Sequence, residues 1–114
     1  MSLLKFGIAG YGKMGKIREQ SISDSQYASL VAIFEIAEYE CNDKSVYKCN
    51  SFDELVNLDI DAVIISSYVS VASDYVIRAL KAGKHVFCEK PPAMNSDEVL
   101  GVIRAEKSSG KVLK

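Results

Sequence analysis

Short runs of aliphatic and β-branched residues with no helical period alternate along the chain with longer stretches in which apolar residues return every three or four positions. The short runs predict strands at residues 4–9, 30–34, 62–66 and 85–88, a weaker one at 46–48, and the opening of a sixth at 112–113. Most are almost wholly apolar, as parallel strands covered on both faces are.

The longer stretches carry their own boundary signals. Ser51-Phe52-Asp53-Glu54 has the S-x-x-E form of a capping box, in which serine and glutamate side chains satisfy orphaned backbone N–H groups. A helix through Leu58 follows from it. Ala72, Val76, Ala79 and Leu80 share one face of the next helix, which Gly83 ends; Asn95 and Glu98 open another, with Val99 and Ile103 on one face and Gly110 as its stop. Residues 36–45, IAEYECNDKS, are the least regular part and read as a loop with a short helical turn. No linker, low-complexity tract or internal repeat intervenes, so residues 1–114 are expected to form one domain. Strands alternating with helices at this spacing imply right-handed crossovers and an α/β architecture: a doubly wound parallel sheet between two helical layers. Ligands of such sheets bind outside the carboxyl ends of the strands, so chemistry is sought just after each strand.

Composition narrows the function classes. With 114 residues, 48% hydrophobic and 25% charged, the chain suits one globular domain rather than a disordered or fibrous segment. The net charge is -1 and the lysines and arginines are scattered singly, which argues against nucleic acid as a partner. No apolar stretch approaches the roughly 18 residues that cross a bilayer, and the first ten residues are too short and too interrupted for a signal peptide. No membrane association and a cytoplasmic location are therefore expected. Cys41, Cys49 and Cys88 show no C-x-x-C or His-paired spacing, so reduced thiols are expected and neither a disulfide nor a metal site.

The first strand runs straight into Gly10-Tyr11-Gly12-Lys13-Met14-Gly15, a G-x-G-x-x-G at a strand-to-helix junction. Gly10 allows the tight turn, Gly12 lets a diphosphate approach the backbone, and Gly15 permits close packing of helix on strand. Gly10, Tyr11, Gly12, Lys13 and Met14 are thus candidate contacts of a dinucleotide, drawn in by free N–H groups at the positive end of a helix. Glu35 closes the second strand twenty positions past Gly15, the spacing of a carboxylate that grips the adenosine ribose. The plainer alternative is a turn of glycines and an acid that merely solvates a strand end.

Glu35 also bears on the choice of cofactor. A carboxylate accepts hydrogen bonds from both ribose hydroxyls, but opposite a 2′-phosphate it meets like charge, at about 4 kcal/mol per charge pair for a separation near 4 Å and an effective dielectric near 20. The six residues after Glu35 supply Glu38 and Glu40 and no lysine or arginine. NAD is expected over NADP.

FGIAGYGKMG (6–15), DAVIIS (61–66) and ALKAGKHVFCEKPPAM (79–94) together resemble the nucleotide-binding domain of the glucose-fructose oxidoreductase, inositol dehydrogenase and MocA family, Gfo/Idh/MocA, over nearly the whole chain. The run A-G-K-H-V-x-x-E-K-P is the more specific part of the match. The resemblance implies a Rossmann fold and hydride transfer between NAD and a secondary hydroxyl or keto carbon, usually of a sugar or cyclitol. It also implies that Glu89, Lys90 and Pro91 lie beside the nicotinamide and its ribose, and that Lys90 reaches the reacting oxygen of the substrate. An ammonium there stabilises negative charge on that oxygen, and a proline turn fixes its direction. A solvated lysine after a strand is the plain reading of Lys90. A cis Lys90–Pro91 bond is one open way to make the turn. His85 begins its strand, away from the ligand end, and is assigned no role.

Two departures stand out. Where the family commonly has Thr-Pro-Asn-x-x-His after the fourth strand, this chain reads Ser67-Tyr68-Val69-Ser70-Val71-Ala72. Ser66, Ser67 and Tyr68 are kept as altered cofactor contacts, with Tyr68 either stacking on a ring or covering the sheet. Family members also continue into a substrate domain with a downstream aspartate and histidine, which this chain, ending at Lys114, lacks. The expectation is a chain that binds NAD and catalyses poorly alone. Its uncovered apolar surface would then favour self-association or a partner chain. A non-catalytic module that senses NAD(H) or docks to a partner is the other reading, and an unrelated nucleotide-binding domain a third.

Overall fold

Side chains alternate between the two faces of a strand, so a strand buried on both faces must be apolar at nearly every position. In the computed structural model, which describes residues 4–36, 45–66, 69–88 and 96–111, five strands form one parallel sheet, of which Ala62–Ile65 fits this rule best and the edge strand Tyr47–Cys49 is mostly exposed. They are β1 (Leu4–Ala9), β2 (Ala28–Phe34), β3 (Tyr47–Cys49), β4 (Ala62–Ile65) and β5 (His85–Cys88), and they lie in the order β3-β2-β1-β4-β5. The sheet grows one way from β1 to β3 and then the other way to β5, which puts the switch point between β1 and β4.

The helices are α1 (Lys13–Asp24), α2 (Phe52–Val56), α3 (Val69–Lys81) and α4 (Ser96–Ser109). Ile8, Ile33 and Ile64 pack with Tyr11 and with Ile22 of α1 on one face of the sheet. Ala9, Ala32, Val63, Ile65 and Val86 belong to the cluster on the other face, with Phe52, Leu55 and Val56 of α2 and Val76, Ala79 and Leu80 of α3. Val102 and Ala105 of α4 join that second cluster. The result is the expected doubly wound, three-layer sheet.

Several boundaries differ from the sequence reading. β2 begins at Ala28, earlier than expected, because Ala28 and Ser29 pair with Leu4 and Lys5. Phe6 lies opposite Leu30 and Gly7 opposite Ala32, so Val31 is an extra residue that bulges and resets the alternation. β3 falls one position later than predicted, with Val46 buried just before it. β4 ends at Ile65, although Ser66 still donates its N–H to the Ala9 carbonyl at 2.8 Å.

α2 carries the predicted cap, with Ser51 Oγ accepting from the Glu54 N–H at 3.1 Å and Glu54 Oε1 accepting from the Asn50 N–H at 2.6 Å. It stops at Val56 rather than Leu58, since Asn57 forms its C-cap. In α4 the inward face is Val102 and Ala105, and Ile103, placed on the apolar face from sequence, is 41% exposed. Gly83 and Gly110 end α3 and α4 with positive φ, as read. The expected loop at 37–44 and strand at 112–113 lie outside the described residues.

Candidate functional site

The register of the sheet lines up its carboxyl ends. Phe34 pairs with Ala9, Ala9 with Ile65, and Ile65 with Cys88, so four strands finish at one level. The next residues in the chain are Glu35, Gly10, Ser66 and Glu89. Three of these four are described, and they touch one another through the loop that follows β1.

Gly10 turns the chain away from the sheet at φ +93°, a conformation that a side chain strains, while its N–H donates to the Phe34 carbonyl at 2.8 Å. Its own carbonyl accepts from Ser66 Oγ at 2.5 Å. That carbonyl also explains Gly15, because a Cβ there would lie 2.2 Å from it. The helix is thereby held close against the end of β1.

Gly12 is the N-cap of α1, with extended backbone and no side chain capping the helix. The first-turn N–H groups of a helix have no intrahelical acceptor, and no acidic residue stands in the first turn here. A Cβ on Gly12 would meet nothing within 4 Å. Lys13 is exposed in that first turn and Met14 half-buried behind it. The arrangement offers an anion an open, positively polarised helix end.

Glu35 reaches this loop directly, its Oε1 accepting from the Tyr11 N–H at 2.7 Å. The acid found by its spacing is therefore adjacent to the glycine turn in space. Behind it, Phe34 meets the edge of Tyr75 at 6.4 Å, and Tyr75 stacks on Phe52 at 4.0 Å, so the end of β2 rests on an aromatic column.

Of the residues singled out from sequence, Gly10, Tyr11, Gly12, Lys13, Met14, Glu35 and Ser66 surround the β1–α1 turn. Ser67, Tyr68, Glu89, Lys90 and Pro91 lie outside the described residues, as does the Lys90–Pro91 bond. His85 begins β5, far from the carboxyl ends, as expected. Sequence reasoning missed Glu19, whose Oε1 accepts from the Tyr11 hydroxyl at 2.5 Å, and Lys16, whose Nζ lies 5.7 Å from the Tyr11 ring centroid. Their only sequence signal is a place on the helix that the glycine motif opens. Among the described residues no cluster of three His, Cys, Asp or Glu is placed to hold a metal.

A separate groove of about 590 Å³ runs between α3 and α4, lined by Ile77, Leu80, Lys81, Gly101 and Arg104 among others. It also includes Gly83, before β5, and so opens at the opposite end of the sheet from the glycine turn.

A parallel sheet in this strand order, with a glycine-rich turn at its switch point and an acid closing its second strand, is a Rossmann nucleotide-binding domain. The chain belongs to the Gfo/Idh/MocA oxidoreductase family, whose NAD-binding Rossmann-fold model matches residues 4–114. It is similar to the myo-inositol 2-dehydrogenase of Thermotoga maritima, with 29% identity over 96% of this chain and 35% of that protein. Among solved structures it is similar to the apo scyllo-inositol dehydrogenase of Lactobacillus casei, with 28% identity, a TM-score of 0.85, and coverage of 99% of this chain and 36% of that one. It also shares its fold with the biliverdin reductase of Synechocystis sp. PCC 6803 solved with biliverdin and NADP+, at 24% identity and a TM-score of 0.84 over 96% of this chain and 36% of that one. The chain thus spans about a third of the length of the relatives it matches. No helix among the described residues is long and apolar enough to cross a membrane.

Proposed function

We propose that this chain is the cofactor domain of an NAD-dependent oxidoreductase acting on a secondary hydroxyl or keto carbon of a sugar or cyclitol, and that it is catalytically incomplete alone. The observation that carries the reading is the 2.7 Å hydrogen bond from the Tyr11 N–H to Glu35, beside a helix end with no side-chain cap. In this reading Gly10, Tyr11, Gly12, Lys13 and Met14 seat the diphosphate with their backbone, Glu35 accepts from the adenosine ribose hydroxyls, and Ser66, Ser67 and Tyr68 border the nicotinamide half. The bound dinucleotide supplies the hydride chemistry. In the same reading Glu89, Lys90 and Pro91 contact the nicotinamide and its ribose, and the Lys90 ammonium reaches the substrate oxygen and stabilises negative charge there. The names of two relatives, both inositol dehydrogenases, support the cyclitol class of substrate. Holding a substrate carbon against the nicotinamide and keeping water out needs walls on both sides of the ring. We assign the second wall to a domain or chain beyond this one, and place the whole in the cytoplasm.

The shared fold leaves the choice between NAD and NADP to the end of β2, where Glu35 would oppose a 2′-phosphate. Calorimetry with NADH and NADPH tests this. NADH should bind at least about tenfold more tightly, and Glu35→Ala should weaken NADH and narrow the gap. Equal affinities in the unaltered chain would refute the assignment.

The second reading, a module that binds NAD(H) without chemistry, draws support from Tyr68, Val69 and Ala72, which stand where the family commonly has proline, asparagine and histidine. Lys90→Ala in a full-length or complemented form separates the two. Loss of turnover with NADH affinity kept supports the enzyme, and an unaltered full-length or complemented form that binds NADH but turns over no sugar or cyclitol supports the module.

A further inference from the structure

Tyr11 is fixed at both ends. Its N–H donates to Glu35 at 2.7 Å, and its hydroxyl donates to Glu19 Oε1 at 2.5 Å. Between them the residue is only 5% exposed and packs in the cluster with Ile8, Ile22, Ile33, Val46 and Ile64. One residue therefore connects the glycine turn, the end of β2 and the body of α1.

We propose that Glu19 is a positioning residue for the dinucleotide: through the Tyr11 hydroxyl it locks the glycine turn to the helix whose open end seats the diphosphate. The inference rests on the reading of that turn as the diphosphate seat. A segment with glycines on both sides of one residue loses much conformational freedom when it orders around a ligand. Anchoring its middle residue removes part of that cost before the ligand arrives. A hydroxyl-to-carboxylate bond is charge-assisted, hence stronger than a neutral one, and Glu19 lies one helical turn beyond Gly15, on a helix that Gly15 already holds against Gly10. The anchor and the diphosphate seat then move as one body. Tyr11 contributes to the site by its hydroxyl as well as its backbone.

The experiment compares Tyr11→Phe, Glu19→Ala, Glu19→Gln and the double variant Tyr11→Phe/Glu19→Ala, at a temperature where circular dichroism shows all of them folded. NADH affinity is read by fluorescence, and hydrogen exchange of the Tyr11 and Gly12 amides is read in the ligand-free protein. Tyr11→Phe and Glu19→Ala should each weaken NADH about tenfold and speed exchange of both amides by a similar factor. The double variant should lose no more than either single one, and Glu19→Gln, which keeps an oxygen acceptor but loses the charge, should fall between the unaltered chain and Glu19→Ala. Additive losses, a glutamine as weak as alanine, or unchanged affinity and exchange would overturn the role of Glu19 alone. An unaltered chain that binds no NADH would overturn both this role and the function it rests on.

Discussion

A methyl group on Gly15 would sit 2.2 Å from the Gly10 carbonyl oxygen, whereas one on Gly12 would meet nothing within 4 Å. The same substitution in one motif should therefore have two outcomes. Gly15→Ala pushes helix from strand and should cost about 1–3 kcal/mol of stability. Gly12→Ala should change stability by less than about 1 kcal/mol and weaken NADH at least about tenfold, because the methyl fills the space a diphosphate would take. Urea unfolding and NADH titration of the two variants check this, and Gly12→Ala with full affinity would contradict it. Cys49 makes a different residue-scale prediction. Burial, with a smaller contribution from Glu54, pushes its thiol up to about 11 from an ordinary 9.0. Below pH 9 the folded and unfolded chains both keep this proton, so the group adds no pH dependence. Between pH 9 and 11 the unfolded chain loses it first and stability falls. The fall in urea midpoint over that window should be shallower in Cys49→Ala than in the unaltered chain.

At the scale of elements, local rules held where a residue type forces a backbone shape and failed where pairing decides. β1 and β5 match the sequence reading residue for residue, and the Ser51–Glu54 cap forms. Ser51→Ala should remove about 1 kcal/mol and lower Tm by about 4 °C in a thermal melt. An unchanged Tm would mean that packing of Phe52, Leu55 and Val56 alone sets α2. The start of β2 was hidden because Ser29 breaks the apolar run, and it is strand only through its partner Lys5. The bulge at Val31 leaves no mark in a segment where every neighbour is apolar. In α4, Val102 and Ile103 are equally hydrophobic in sequence, and only contact with the rest of the molecule turns Val102 inward and leaves Ile103 exposed.

The whole molecule brings together what the sequence left apart. Glu35 and Tyr11 are distant in the chain and 2.7 Å apart in space, a meeting that the spacing rule anticipated because a parallel β-α-β unit has a fixed reach. Glu19 escaped that rule because any helix surface carries glutamates and only the fold shows which one meets the Tyr11 hydroxyl. The level finish of β2, β1, β4 and β5 likewise depends on register across four strands, which no single segment encodes. The Rossmann fold and the family now stand on the strand order and on a match over residues 4–114. The account turns on whether this sheet edge holds a dinucleotide by its adenosine diphosphate half. NADH titrated into the chain, with nicotinamide fluorescence as the signal, measures that directly. A saturable rise that ADP-ribose reverses and nicotinamide mononucleotide leaves in place is the predicted result; an unchanged signal, or one that ADP-ribose cannot reverse, would contradict it.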